Sequence, residues 1–453
     1  MKRTRCFRVL AATAMFLTLL LGQSFPAMMT PCTAPGMFPE SDVTVFVLPY
    51  IDYTSAESSH SESPVGTELA GLIQTDTLLA ISRFGKVASI RMLGRPSECQ
   101  PEIVQEDLLA HFGDGRSARA TVMVWGRIFR VENEIYVQSY ASFGRFVRHD
   151  PGEMLELPFG DRTLAAQLVA QTLTFAPRHV SEDDLQAIRK RFEEANIVHE
   201  KADEKSPGKP LIMLFPQERR PVYYMTDSQG DWIRIHTQTG QDGWILARAM
   251  VGQQSLSVRL PEMKFVEGVA GYFGFRAQPA AGKAELAAAA LRSFEDNPLS
   301  ATAPTAVAVS KQLRGMLELL AGNQSDDAFA KAAPIFSQAA DVLPSSSAAS
   351  NMAAVVSLYR EWKRPGSRLD FHQNVNRFWS SISSDPYDKT ALTNCWTMFV
   401  VARSPAFRER FTFDPPLSQE DLDRNVQQIE AVQLKGSQVT LAHAVPVVAW
   451  PRP

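Results

Sequence analysis

Residues 222–247 read VYYMTDSQGDWIRIHTQTGQDGWILA, and this stretch decides the fold of the middle of the chain. Ile233 and Ile235 alternate with Arg234 and His236, the period of two of a half-buried strand. Gln229-Gly230-Asp231 and Gln241-Asp242-Gly243 are turn formers, with Gly230 and Gly243 as the turn glycines, and each is followed by a tryptophan. The pattern predicts a small antiparallel barrel closed by Trp232, Trp244, Ile233 and Ile235. Such a module binds or positions a partner and does no chemistry. Its bounds are set at 209–254. His236 falls on the polar face, where a lone histidine is a surface residue.

Upstream, residues 201–210 (KADEKSPGKP) are charged and Pro/Gly-bearing, with Ala202 their one apolar residue, the composition of an exposed linker between separate cores. Residues 179–208 are read as a helix followed by that linker. Ser181 with Asp184 forms a capping-box analogue that starts the helix SEDDLQAIRKRFEEAN. Residues 160–175 (GDRTLAAQLVAQTLTF) also read as helix, from Leu164, Leu168 and Leu173. Further upstream, 42–50 (DVTVFVLPY) is a strand, 65–84 a helix stopped by Gly85, 86–93 a strand, 101–112 a short helix, and 120–130 with 135–143 a hairpin. This order predicts an α/β mixed-sheet domain at 40–178.

Downstream, the chain turns alanine-rich and helical over 265–405. Segments 304–321, 327–343, 346–362, 370–383 and 388–402 form helices joined by short turns bearing Pro344 or Pro386. Asn394–Phe399 and Ala348–Val356 are expected to line one grooved face that takes a partner segment. Residues 406–453 read as an extended tail. The fold class is therefore multidomain α+β.

Lys2, Arg3, Arg5 and Arg8 precede an apolar run at 9–21 and small residues at 22–24, which predicts a signal peptide at 1–24 and an exported protein, periplasmic or peripheral to the envelope. The run is shorter than the roughly 20 residues a membrane-spanning helix needs, so no span is expected after cleavage. Loss of four basic residues leaves 42 against 49 acidic ones, a net charge of −7 that does not favour nucleic acid. Cys32, Cys99 and Cys395 remain; an odd number cannot all pair, Cys32 and Cys99 are the candidate disulfide, and Cys395 reads as a buried free thiol.

Three resemblances add to this reading. The order VTVFVLPY, helix, SRFGKVASI, then W-G-R-I and a hairpin resembles the N-terminal domain of the TolB family and the related domain of curli-secretion lipoproteins, over roughly residues 42–143. It implies an envelope protein making protein–protein contacts. GDWIRI followed by GWI resembles the second half of a bacterial SH3-like (SH3b) domain; the family's leading segment is replaced by KPLIMLFPQERR, so its ligand groove is not carried over. SSDPYDKTALTNCWTMF and AADVLPSSSAASNMAAVV resemble degenerate tetratricopeptide repeats, offset by 42 residues between Pro344 and Pro386.

No G-x-S-x-G, H-E-x-x-H, Walker loop or dinucleotide turn occurs, and the eight histidines show no short metal-ligand spacing. No catalytic residue, metal or cofactor is assigned. The expectation is a non-enzymatic envelope adaptor or scaffold whose partners are envelope proteins. The alternatives are a peptidoglycan- or peptide-binding protein acting through the SH3-like module, and an envelope hydrolase with an unrecognised site.

Overall fold

The computed structural model describes residues 43–54, 64–81, 87–91, 120–145, 153–168, 172–212, 223–237, 239–248, 250–251, 254–255, 260, 262–277, 283–295 and 303–435. The signal peptide, Cys32 and Cys99, the helix at 101–112 and the end of the tail lie outside them.

The first layer is a mixed sheet. Its strands are β1 (Val43–Val47), β2 (Ile51–Asp52), β3 (Val87–Arg91), β4 (Ala120–Val131), β5 (Glu134–Arg145), β8 (Thr172–Thr174) and β9 (Arg178–Val180). β1 pairs in parallel with β3 and β4, β4 pairs antiparallel with β5 from Val131↔Glu134 to Ala120↔Arg145, and β5 carries β8 and β9 on its far edge. The parallel pairing of β1 with β3 follows from the crossover through α1 (Pro64–Ile81), which packs on both. Alternation buries Val122, Val124 and Ile128 of β4 and Ile135, Val137 and Ala141 of β5 beneath helices, and turns Trp125, Arg127 and Phe129 to the opposite face. α2 (Glu182–Glu194) packs on α1, and its start is the reciprocal capping box of Ser181 and Asp184 that the sequence predicts.

Residues 160–168 and 172–175 are not helical. They belong to a hairpin, β6 (Glu153–Phe159) and β7 (Arg162–Leu168), followed by β8. Leu164 and Leu168 are four apart, a spacing that satisfies one helix face and one strand face equally. Gly160 at φ +63, in Gly160-Asp161, makes the turn, and Leu155, Leu157, Phe159, Leu164, Ala166 and Leu168 all fall on one buried face.

That hairpin lies on the helical array. The array comprises α3 (Glu262–Ala277), α4 (Lys283–Glu295), α5 (Pro304–Ala321), α6 (Asp326–Val342), α7 (Ser347–Lys363), α8 (Phe371–Ser384), α9 (Lys389–Arg403) and α10 (Gln419–Lys435). α5 to α9 match the predicted helices to within a residue or so. α10 corrects the expectation of an extended tail: Leu422, Val426 and Ile429 recur at helical spacing and are buried, and Ser418 with Asp421 caps the start.

β7 runs across α7 and α9. The Ala165 N–H donates to Asn394 Oδ1 at 2.7 Å; Asn394 Nδ2 donates back to the Ala165 carbonyl at 2.5 Å and to Asn351 Oδ1 at 2.8 Å. Asn351 Nδ2 adds a longer bond of 3.3 Å to the same carbonyl. Phe159 packs on Trp362 with ring centroids 4.5 Å apart. The helices that were expected to take a partner segment carry the chain's own strand. One hydrophobic cluster takes in residues from Val43 through the hairpin to Ile429, so the α/β layer, the hairpin and the helices share a core.

Asn394→Ala removes the partner of a buried N–H and one partner of a buried carbonyl. It is expected to cost roughly 2–4 kcal/mol, because each orphaned buried group costs about 1–3 kcal/mol. Denaturant unfolding of the full chain checks this, with Thr393→Ala on the exposed side of α9 expected to change stability far less.

Candidate functional site

The predicted barrel region forms a five-stranded antiparallel sheet in the order β11, β10, β14, β13, β12, from β10 (Ile197–His199), β11 (Gly208–Pro210), β12 (Tyr223–Gln229), β13 (Trp232–Thr237) and β14 (Asp242–Leu246). Among the described strands this path is open. It corrects the reading of 201–210 as a linker: Gly208–Pro210 pairs with β10, and β10 pairs with β14 through His199↔Trp244. The charged residues between β10 and β11 form the loop of a hairpin fastened from within, by Glu200 N–H to the Pro207 carbonyl and Ser206 N–H to the Asp203 carbonyl. Three-residue strands leave too little periodicity to be read.

Each predicted residue of this module has a definite place. Ile233 and Ile235 are fully buried with Tyr223, Ile245 and Val198, and Leu78 at the end of α1 joins them. Trp232 is buried on the other face, edge-on to His199 at 5.2 Å. Trp244 is only half-buried, opposite Arg234 in the register, so it does not close the core as expected. Gly230, at φ +59, makes the β12–β13 turn. Gly243 is not a turn residue: it lies inside β14, where a Cβ would sit 2.5 Å from Val198 Cγ1 and 2.6 Å from the His199 carbonyl, and Gly240 at φ +79 takes the turn instead. His236 bonds Asp242 at 3.2 Å on the exposed side.

The outward face of β4 and β5 is a second surface, one that sequence reading passed over. Its rungs are Trp125 with Tyr140 (ring centroids 5.8 Å), Arg127 with Gln138, and Phe129 with Tyr136 (5.9 Å), extended by His179 of β9 edge-on to Tyr136. The Arg127 guanidinium lies 4.9 Å from the centre of the Phe129 ring, and its Nε donates to Gln138 Oε1 at 2.9 Å. Tyr140 donates to the same oxygen, and Gln138 Nε2 donates to the Phe175 carbonyl. Val131 is 51% exposed at the hairpin tip, and Tyr53 stands exposed where β2 meets β4. A cleft of about 230 Å³ opens beside Gln138, between Thr174–Pro177 and the first turn of α5. The available signal was the alternation of large aromatics with Arg127 in MVWGRIFRV facing EIYVQSY, a strand pair with two non-polar faces.

Chemically, these surfaces offer stacking, the guanidinium groups of Arg127 and Arg234, and amide hydrogen bonds. Among the described residues no His, Cys, Asp or Glu cluster could hold a metal, and no helix is long and apolar enough to cross a membrane. Cys395 is free and buried in α9, and burial pushes its thiol up to about 12. No protein-family model, curated protein or solved structure matches this chain.

Trp232→Ala is expected to cost about 3–5 kcal/mol and Trp244→Ala roughly half of that, since truncating a half-buried ring removes less packing. Chemical denaturation of the two variants side by side checks the order. Cys395 is expected to resist thiol alkylation until the protein is unfolded, and rapid labelling of the native chain at Cys395 would contradict its burial.

Proposed function

We propose that the protein is a non-enzymatic adaptor of a bacterial envelope, and that it meets its protein partners through the outward face of β4 and β5. The observation that carries this reading is the ladder Trp125/Tyr140, Arg127/Gln138 and Phe129/Tyr136, bordered by exposed Val131 and Tyr53. Aromatic residues and arginine are the side chains enriched where proteins bind one another, because they bring large contact area at small entropic cost. The groove of the helical array, expected to receive a partner, supports a different role. With β7 held by Asn351 and Asn394, the helices act as the scaffold that fixes the sheet.

A second reading rests on Trp244. A half-buried tryptophan beside Arg234, Asp242 and His236 is suited to stacking on a wall glycan or peptide, and the SH3-like module would then be the binding element.

Crosslinking in intact cells, followed by capture of the full-length chain, separates the two. Phe129→Ala combined with Arg127→Glu is expected to lower partner recovery at least tenfold, the scale of a lost interface anchor, with the folded state checked by circular dichroism. Unchanged recovery would sink the sheet-face reading. Sedimentation with purified sacculi that is lost in Trp244→Ala would support the second.

A further inference from the structure

Three elements meet at a carboxyl group that has no counter-ion. Glu262, the first residue of α3, is 1% exposed. Its Oε1 accepts from Ser139 Oγ of β5 at 2.5 Å, and Ser139 Oγ accepts in turn from the Tyr50 hydroxyl, which follows β1, at 3.0 Å. Its Oε2 is buried without a hydrogen-bond partner. Tyr50 is held in place by Gly126, where a Cβ would run into the Tyr50 ring. The chain Tyr50–Ser139–Glu262 thus ties β1, β5 and α3 together inside the core.

The charged group facing Glu262 is Arg178 of β9, yet the two form no ion pair, and Arg178 Nε is itself buried without a partner. The other charges on elements packed against α3 are engaged or at the surface. Glu68 of α1 meets Arg189, and Asp76 of α1 is not without a partner. Glu267 takes Lys264 and Ser293, and Arg314 of α5 takes Glu295. Arg276, Glu285 and Arg292 are exposed. An ionised Glu262 would therefore be a buried charge with one hydroxyl donor, its own backbone N–H and Arg178, with which it forms no ion pair. Burial raises its pKa above the usual carboxylate range; the Ser139 bond, the backbone bond and Arg178 pull it part of the way back.

We propose that Glu262 is a proton-controlled latch: protonated, it fastens α3 to the sheet, and on deprotonation the first turn of α3 parts from β5 to let water reach the carboxylate. α3 touches α1, β1, β4 and β5 on one side and α4 and α5 on the other, so the latch governs the joint between the sheet layer and the helices. The inference is independent of which partner the protein binds. Because the folded-state pKa is raised, the folded form holds its proton longer than the unfolded form does. The latch's contribution is whole below the ordinary glutamate range, declines as pH rises from there, and is lost above the raised value.

Hydrogen exchange of the full-length protein, read on peptides covering 262–277 and corrected for the intrinsic pH dependence of exchange, tests this across roughly pH 5 to 8. Wild type is expected to lose protection in these peptides as pH rises, by at most about tenfold per pH unit, the slope for one proton. Glu262→Gln should abolish that loss. Ser139→Ala should carry it to higher pH, because one influence holding the pKa down is gone. Peptides from 419–435 should show no such slope in any variant. A flat wild-type profile, or the same slope in Glu262→Gln, overturns the latch. If Glu262→Gln does not fold, infrared difference spectra of the wild type decide: a buried protonated carboxyl band that disappears on raising pH supports the proposal, and its absence refutes it.

Discussion

The hydrogen bonds between Asn394 and the main chain of Ala165 fasten the β6–β7 hairpin to the helical array. A strand laid edge-on against helices brings an N–H and a C=O into a place where helices, with their own backbone groups already paired, have nothing to give. A carboxamide offers both a donor and an acceptor, and Asn394 uses both, with Asn351 bracing it from the neighbouring helix. Once that edge is satisfied, the apolar face of the hairpin can pack on Trp362 and its neighbours and join the cluster that the sheet layer and the helices share.

What could be read from the chain was what local chemistry encodes twice. α5 begins with Pro304 at its first position, α6 to α9 begin with Ser325, Ser346, Asp370 and Asp388 as caps, and those helices were legible to a residue or so. The β4–β5 hairpin was legible because Glu132-Asn133 separates two long alternating runs. Where only one signal existed, the reading failed. Leu164 and Leu168 fit both periods, and the deciding sign, Gly160-Asp161 between LELPF and RTLAA, is the same Gly-Asp grammar that marks the turn at Gly230-Asp231. The helix at 419–435 is polar over most of its surface and follows two prolines, so its three buried apolar residues carried little weight against them.

The candidate surfaces were less legible than the fold, for a related reason. Burial of a tryptophan depends on what lies across the sheet, and the strand across from Trp244 is β10, which the sequence hid inside a charged segment. Gly243 is explained by that same strand: it is glycine because β10 approaches too closely for a Cβ, a tertiary constraint that sequence spacing presents as a turn.

The outward ladder and the buried latch are joined through consecutive residues. Gln138 and Ser139 are neighbours on β5 and point to opposite faces of the sheet, as alternation requires. Gln138 receives Arg127 and Tyr140 on the open side, while Ser139 receives Tyr50 and donates to Glu262 on the closed side. Any movement of β5 that follows the parting of α3 displaces the peptide between them, and with it the centre of the ladder. The outward ladder and the joint at Glu262 therefore share one stretch of backbone, Gln138-Ser139.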